Sequence, residues 1–344
     1  MNFFQALEAA ERPQARKLFV RLEEEISDAL GLFWSAASGI LQESGIKLLE
    51  PPADYFTLRR NFFSALFLYS YHRAGIPHGR RIIYAAVNHC LRAMVTGCDN
   101  LLDDEYKPTL VTDLPEKGIR FRSVLDIMVA DRVLFEILLE ACRQNVLDPE
   151  RVTEASASTL RALTRSGIQE ATEEQGIGKV LAPEAILRSV HHFKTGMLFQ
   201  CPWAVPRLVE TTSEEVVSLV TDGLYRIGMG CQIMDDMVDF AADLAKRRHN
   251  YIRSIVHHGA DPEERGKLAG LLEKNRREPV GGPDLILEFP RALAAATGTA
   301  RSYLEEGLSA LFTEDLAFLV PPVVETLATL IGANRFMSCG NGPC

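Results

Sequence analysis

Residues 212–248 read TSEEVVSLVTDGLYRIGMGCQIMDDMVDFAADLAKRR, and this stretch decides the fold. It opens with Thr212-Ser213-Glu214-Glu215, the hydroxyl-then-acid order of a capping box. It continues to Arg248 as the longest helical pattern in the chain, so one long helix is predicted. Gly223, Gly228 and Gly230 fall inside it and mark close packing or a kink. Towards its end Asp235, Asp239 and Asp243 stand four apart and share one face, with Gln232 about a turn earlier.

The same period extends outward. Residues 16–46 carry Leu18, Phe19, Leu22, Ile26, Leu30, Phe33 and Trp34 along one face. From Arg80 to Asp104 the apolar set is Ile82, Ile83, Ala86, Val87, Leu91, Met94, Val95 and Leu102. Residues 123–145, 152–166, 284–312 and 313–332 repeat the pattern. No sustained alternation bounded by hairpin turns marks a strand. Loops are expected at 50–55, 106–118, 171–183, 258–264 and 276–284, the last holding Gly281-Gly282-Pro283. The chain therefore reads as all-α, a single helical domain over residues 1–337 with about ten helices around a central apolar cavity. An irregular tail follows at 338–344.

A second acidic segment lies upstream, Cys98-Asp99-Asn100-Leu101-Leu102-Asp103-Asp104-Glu105. Asp99 and Asp103 again share a face. Each stripe sits in apolar flanks: Met94, Val95, Leu101 and Leu102 around one, Ile233, Met234, Met237 and Val238 around the other. A mostly buried helix seldom spends its polar positions on several carboxylates without a partner, although such pairs also arise on solvated faces. Two such helices facing one another would hold hard divalent cations through oxygen. Mg²⁺ in such a site keeps waters and bridges to phosphates.

Composition sets the outer limits. The chain has 344 residues, 47% hydrophobic and 24% charged, with a net charge of −9. This is ordinary globular composition, and it excludes collagen-like, disordered and disulfide-scaffold classes. The acidity argues against nucleic acid as a partner. An anionic substrate would need a local reversal of sign, from a basic patch or from metal ions. The seven cysteines show no zinc-type spacing and read as buried free thiols of a reducing compartment, with Cys339 and Cys344 in the tail. Neither a signal peptide nor a membrane span is read, so the cytoplasm is the expected location.

The two acidic segments, with their surroundings, resemble the class I isoprenoid synthases, and most closely the polyprenyl diphosphate synthase (trans-prenyltransferase) branch. Asp99–Glu105 resembles that family's first aspartate-rich motif, DDxxD, and Ala85-Ala86-Val87-Asn88-His89 its Ala-Ala-Val-Glu lead-in. Gly228 to Asp239 resembles the second motif, GxxFQxxDDxxD. Lys194-Thr195-Gly196-Met197-Leu198-Phe199 resembles its Lys-Thr-x-x-Leu-Phe segment. The three lie in the family's order over roughly residues 58–256.

The resemblance implies that Mg²⁺, as a trio of ions, neutralises the diphosphate of an allylic prenyl substrate and drives its ionisation to a carbocation. It makes Asp99, Asp103, Asp235 and Asp239 the metal ligands, with Asn100, Asp236 and Asp243 as further candidates. Those four aspartates and Lys194 form the catalytic set. Arg60, Lys194, Thr195, Gln232, Lys246, Arg247 and Arg248 are the implied substrate contacts. Phe62, Phe63, Phe67, Met94, Phe193, Phe199, Trp203 and Met229 are candidates to line the cavity, where aromatic faces would stabilise a cation. Val95 and Met94, about a turn before Asp99, stand where the family sets product length, and neither is aromatic. A homodimer is left open, since dimers are common in the family.

Departures from the pattern shape the functional expectation. Asn100 replaces the motif's second aspartate. The family's Gly-Lys-x-Arg-Pro segment is reduced to Leu58-Arg59-Arg60-Asn61. The Arg-Arg pair after the first motif gives way to Tyr106-Lys107-Pro108-Thr109, and the Gly-Lys after the second to Lys246-Arg247-Arg248-His249. The missing cations mostly serve isopentenyl diphosphate, the unit added during elongation. The expectation is therefore a one-substrate terpene synthase that ionises, then cyclises or rearranges. The alternative is a chain-elongating polyprenyl diphosphate synthase. Asp99-x-x-x-Asp103 and Arg248-x-x-Tyr251 also resemble squalene and phytoene synthases, a lesser option. A noncatalytic regulatory subunit would have no need of four stacked acids.

Overall fold

A computed structural model describes residues 1–275, 282 and 284–337. Every regular element among them is helical, and the one strand-like pairing is the isolated bridge between Leu48 and Thr112. The all-α expectation holds. The tail at 338–344 with Cys339 and Cys344, and Gly281 and Pro283 of the expected loop, lie outside the described residues.

The helices group into two compact units that alternate along the chain. One comprises residues 13–163 and 201–220, the other residues 1–12, 164–200 and 221 onward. The helices Pro149–Glu173 and Glu214–Val238 each contribute to both.

In the first unit, Pro13–Leu41, Phe62–Arg73, His78–Asp103 and Ile119–Arg143 pack together. The His78–Asp103 helix buries Ile83, Ala86, Val87, Cys90, Leu91 and Met94, the three-to-four spacing expected of it. Arg81 from this helix meets Glu25 of Pro13–Leu41 in a buried bidentate pair. Removing either partner would strand a charge in the core. Tyr71 donates to the Pro202 carbonyl at 2.7 Å, and the Trp203 indole donates to Ser70 Oγ at 2.9 Å.

The second unit holds the predicted long helix, which is divided. Glu214–Val238 ends at Asp239, and Phe240–Lys246 resumes at once. Asp239 N–H still reaches the Asp235 carbonyl at 2.9 Å, and Asp243 N–H reaches Asp239 at 2.8 Å. The break is thus a kink within a nearly continuous ladder. Lys194 and Thr195 lie on a π-helical segment, Leu187–Gly196, a wide winding that sequence period does not signal. No described helix is long and apolar enough to cross a membrane. Cys90, Cys201 and Cys231 are buried as expected, whereas Cys142 is half-buried and Cys98 is exposed.

Candidate active site

The second acidic stripe is assembled with the π-helical segment inside one unit. Gly228 makes this possible: a Cβ there would come within 2.8 Å of the Thr195 carbonyl and 2.9 Å of the Phe199 ring. Gly196 is the reciprocal contact, where a Cβ would lie 2.6 Å from the Tyr225 ring. The two glycines let the backbones approach, and the approach lets side chains meet. Thr195 Oγ1 donates to Gln232 Oε1. Gln232 Nε2 in turn donates to Asp235 Oδ2 at 3.3 Å and Asp236 Oδ1 at 3.1 Å. Thr195, Gln232 and Asp235, three residues singled out from sequence, form one wired group.

Asp235 and Asp239 are exposed, one helical turn apart, at the end of a long helix with no basic residue in its last turn. Asp235 stands in the last turn of Glu214–Val238, and Asp239 stands at the kink as the N-cap of Phe240–Lys246. The protein packed around Asp235, then repulsion from Asp239 and Asp236, push its carboxyl up to about 7, with Lys194 pulling the other way. Its side chain nonetheless keeps solvent-accessible surface, so the carboxylate is open to water while ringed by protein.

Asp236 and Asp243 are engaged differently. Asp236 is 4% exposed. Its Oδ2 accepts from His191 Nε2 at 2.9 Å and from the Tyr251 N–H at 2.6 Å. Burial alone would raise Asp236, but His191, the Tyr251 amide and Gln232 hold it below its ordinary value. Asp243 accepts from Asn250 Nδ2 at 2.9 Å, and burial followed by repulsion from Asp236 holds it well above the ordinary carboxylate range. Both oxygens of Asp236 hold protein donors, whereas Asp243 has one on Oδ2. His191 and Asn250 are the supporting residues that sequence reasoning missed.

Lys194 is placed beside the stripe. Its ammonium pairs with Glu170 at 2.9 Å, and Ser166 Oγ donates to its carbonyl at 2.8 Å. Burial works against its charge, but Glu170, with Asp236 and Asp243, outweighs that and keeps it protonated above the ordinary lysine range.

The first stripe belongs to the other unit. Asp99 and Asp103 are exposed on the last turn of His78–Asp103, which also has no basic residue. Asn100 between them is 2% exposed and turned inward onto Lys107 of the following loop. Its amide is thus committed to the protein instead of to a metal. Tyr106 and Thr109 of that loop reach the buried Asp126, each at 3.4 Å.

The basic candidates separate. Arg60 pairs with exposed Asp54 at 3.0 Å and lies over the Tyr55 ring. Arg247 is a left-handed helix cap (φ 56°) whose guanidinium donates to the Ile177 carbonyl at 3.0 Å, so it anchors the 174–178 loop. Lys246 is exposed and Arg248 half-buried, and the Arg248 carbonyl accepts from Arg253 at 3.3 Å.

Arg92 was not foreseen. It is half-buried, and among the described residues its hydrogen-bond partners are all neutral: Ser64 at 3.3 Å, Asn61 at 3.2 Å and His89 at 3.1 Å. Burial and Arg92 hold His89 well below its ordinary pKa, so the imidazole is neutral. Arg92 itself is lowered by burial and by a second cation, Arg60. Among the described residues no carboxylate is hydrogen-bonded to this guanidinium, in a protein whose net charge is −9. Its signal in the sequence is an arginine on an apolar helix with no acid at 88, 89, 95 or 96, the neighbouring positions one turn away.

Of the residues expected to line a cavity, Phe62, Trp203 and Met229 are core, and Phe193 is exposed. Met94 does reach a cavity, of about 270 Å³, shared with Phe135, Thr153, Ser156, Ala157 and Leu160 of the same unit.

The donor chemistry fits Mg²⁺. Each stripe offers two accessible carboxylates a turn apart where a long helix ends or kinks. Among the described residues, no three His, Cys, Asp or Glu side chains converge to hold a metal by themselves. Mg²⁺ suits a carboxylate pair because it keeps waters and takes substrate phosphate oxygens.

Comparison with known proteins agrees with the architecture. Residues 121–254 match the polyprenyl synthetase family model, a range that includes Lys194, Thr195 and the second stripe. A polyprenyl synthase from Caulobacter crescentus, solved with calcium and isoprenyl diphosphate, superposes with a TM-score of 0.59 at 15% identity. The match covers 92% of this chain and 98% of that one. Geranylgeranyl pyrophosphate synthase from Corynebacterium glutamicum, also solved with calcium and isoprenyl diphosphate, gives 0.59 at 14% identity, over 93% and 97%. Polyprenyl synthase from Roseobacter denitrificans gives 0.54 at 18% identity, over 90% and 98%. No curated protein matches the chain. The resemblance to the isoprenoid synthase superfamily, on its prenyltransferase branch, is borne out.

The expected cyclising terpene synthase is overturned by the same findings. The matching family model is that of polyprenyl synthetases, and the similar structures are polyprenyl and geranylgeranyl synthases. The expectation rests on cations missing from family positions.

Proposed function

We propose that the protein is a chain-elongating prenyltransferase that joins an allylic prenyl diphosphate to isopentenyl diphosphate. The observation that carries this reading is the match to the polyprenyl synthetase family over the segment in which Thr195, Gln232 and Asp235 are wired together. On this reading Asp99, Asp103, Asp235 and Asp239 would hold Mg²⁺, as three ions. The metal supplies neutralisation of the departing diphosphate. Thr195 and Gln232 fix the orientation of Asp235, and Asp236 supports the kinked helix from beneath. Lys194, kept charged by Glu170, offers a further cation to the same diphosphate.

Elongation needs a second diphosphate site that does not share the metals. Arg92, with neutral partners and Arg60 nearby, supplies local positive charge for it. The absence of the family's usual cations therefore does not remove the second substrate. A cytoplasmic location and a homodimer go with this reading.

The test is diphosphate release with Mg²⁺ and geranyl, farnesyl or geranylgeranyl diphosphate, each with and without isopentenyl diphosphate. Release that requires isopentenyl diphosphate supports elongation. Equal release from the allylic substrate alone contradicts it.

A further inference from the structure

Asn100 occupies the one first-motif position at which this chain lacks the carboxylate of the pattern it resembles. The structure gives that position two tasks. The His78–Asp103 helix ends on a left-handed Asp104 (φ 56°), and the Asp104 and Glu105 amides both return to the Asn100 carbonyl, the latter at 3.1 Å. Both bonds end on one carbonyl, around the left-handed residue that commonly closes a helix. The Asn100 side chain then closes a ring with Lys107: Oδ1 accepts the Lys107 N–H at 2.9 Å, and Nδ2 donates to the Lys107 carbonyl at 3.1 Å.

Only a carboxamide satisfies both halves of that ring. An aspartate can accept from the Lys107 amide but has no proton for the Lys107 carbonyl, so its second oxygen would face another oxygen. Asn100 is 2% exposed, so little water is at hand to relieve the mismatch. The turn it fixes needs fixing. Asp99, Asp103 and Asp104 crowd the negative end of the helix with no basic residue in the last turn, and Arg120, at 3.2 Å from Asp104, is an exposed partner from the next helix. Left unclamped, that turn would fray and take Asp103 out of register with Asp99.

We propose that Asn100 is a positioning residue. Its carboxamide clamps residues 104–107 beneath the last turn of the helix, and the first motif of this chain works as two carboxylates plus an amide clamp. The clamp stands on hydrogen-bond geometry. Its consequence for metal binding rests on the proposed function.

Asn100→Asp restores the three-carboxylate pattern, and Asn100→Ala deletes the clamp without adding charge. Hydrogen–deuterium exchange of the metal-free protein reads the clamp. Asn100→Ala, which loses both buried hydrogen bonds, is expected to raise exchange at 104–107 about tenfold or more, and Asn100→Asp, which loses one and sets two oxygens against each other, at least several-fold, with the rest of the chain unchanged. The Mg²⁺ concentration for half-maximal elongation is expected to rise several-fold in both, with the KM for isopentenyl diphosphate within twofold of wild type. A gain of activity or a lower Mg²⁺ midpoint in Asn100→Asp would overturn the proposal, because position 100 would then be a ligand position. Unchanged exchange at 104–107 in either variant would overturn it too. So would global unfolding of both, which would make Asn100 purely structural. A wild type inactive towards prenyl diphosphates would sink the functional reading and leave the exchange result to decide on the clamp.

Discussion

The two carboxylate stripes share chemistry and differ in how they are supported. Each places two accessible aspartates one turn apart where a long helix ends or kinks, with no basic residue in that helix's last turn. Behind Asp235 and Asp239 stands a network of side chains: Gln232, Thr195, Asp236, His191 and Asn250, with Lys194 close by. Behind Asp99 and Asp103 stands a backbone device, the reversal at Asp104 and the Asn100–Lys107 ring. The difference teaches that a motif's chemistry and its scaffolding are separable. The same pair of carboxylates can be held by buried charge or by local chain geometry, and each mode fails in its own way.

The largest expected effect tests what the stripes share. Asp235→Ala and Asp99→Ala should each lower kcat at least about a thousandfold, since each removes several kcal/mol of charge stabilisation. The two should part company in the metal-free protein. Asp235→Ala relieves repulsion from Asp239 and Asp236 and should raise the melting temperature by a few degrees, whereas Asp99→Ala, beside the neutral Asn100, should barely move it. Equal shifts in calorimetry would erase the contrast.

Next comes the buried support of the second stripe. His191→Ala leaves the Asp236 carboxylate without its strongest partner and should cost about 3 kcal/mol in denaturant unfolding. A loss under about 1 kcal/mol would show that the backbone amide of Tyr251 and Gln232 suffice.

Arg92→Met is expected to act on one substrate. The KM for isopentenyl diphosphate should rise roughly 10- to 100-fold, as loss of a charged hydrogen bond predicts, while the allylic KM stays within about threefold. A rise confined to the allylic substrate would assign Arg92 to the other diphosphate.

The smallest effect belongs to the loop after the first stripe. Burial raises Asp126 from its ordinary value to about 6, against the lowering action of Thr109 and Tyr106. The folded protein therefore keeps that proton over roughly pH 4–6, where the unfolded chain has lost it. Stability from this group is full below about pH 4 and is lost as pH rises through about 6, at most about 2–3 kcal/mol for two units. Melting curves over pH 4–7 should show the decline in wild type and a flatter profile in Asp126→Asn.

Much of this was legible in the sequence, and the rest has physical reasons for being hidden. Helical period located the elements, because burial of one face repeats every three to four residues. Spacing of four placed Asp235 with Asp239 and Asp99 with Asp103, and the order of motifs tied Lys194 to them. Spacing did not show that the helix kinks at Asp239, since the hydrogen-bond ladder runs on through it. Nor could it separate Asp235 from Asp236. Adjacent residues on a helix point about 100° apart, so one faces water and the other is buried against His191. The π-helical winding at Leu187–Gly196 breaks the very period that locates helices. Arg92 was hidden in another way: its meaning is that no carboxylate among the described residues is hydrogen-bonded to it, which depends on what packs around it from residues 55–64.

The most direct test follows the carbon. Geranyl diphosphate and uniformly ¹³C-labelled isopentenyl diphosphate are incubated with the protein and Mg²⁺, and the products are weighed by mass spectrometry. The account predicts diphosphates lengthened by whole labelled five-carbon units. Unlabelled hydrocarbon or alcohol of the starting chain length, with the labelled substrate untouched, would contradict it.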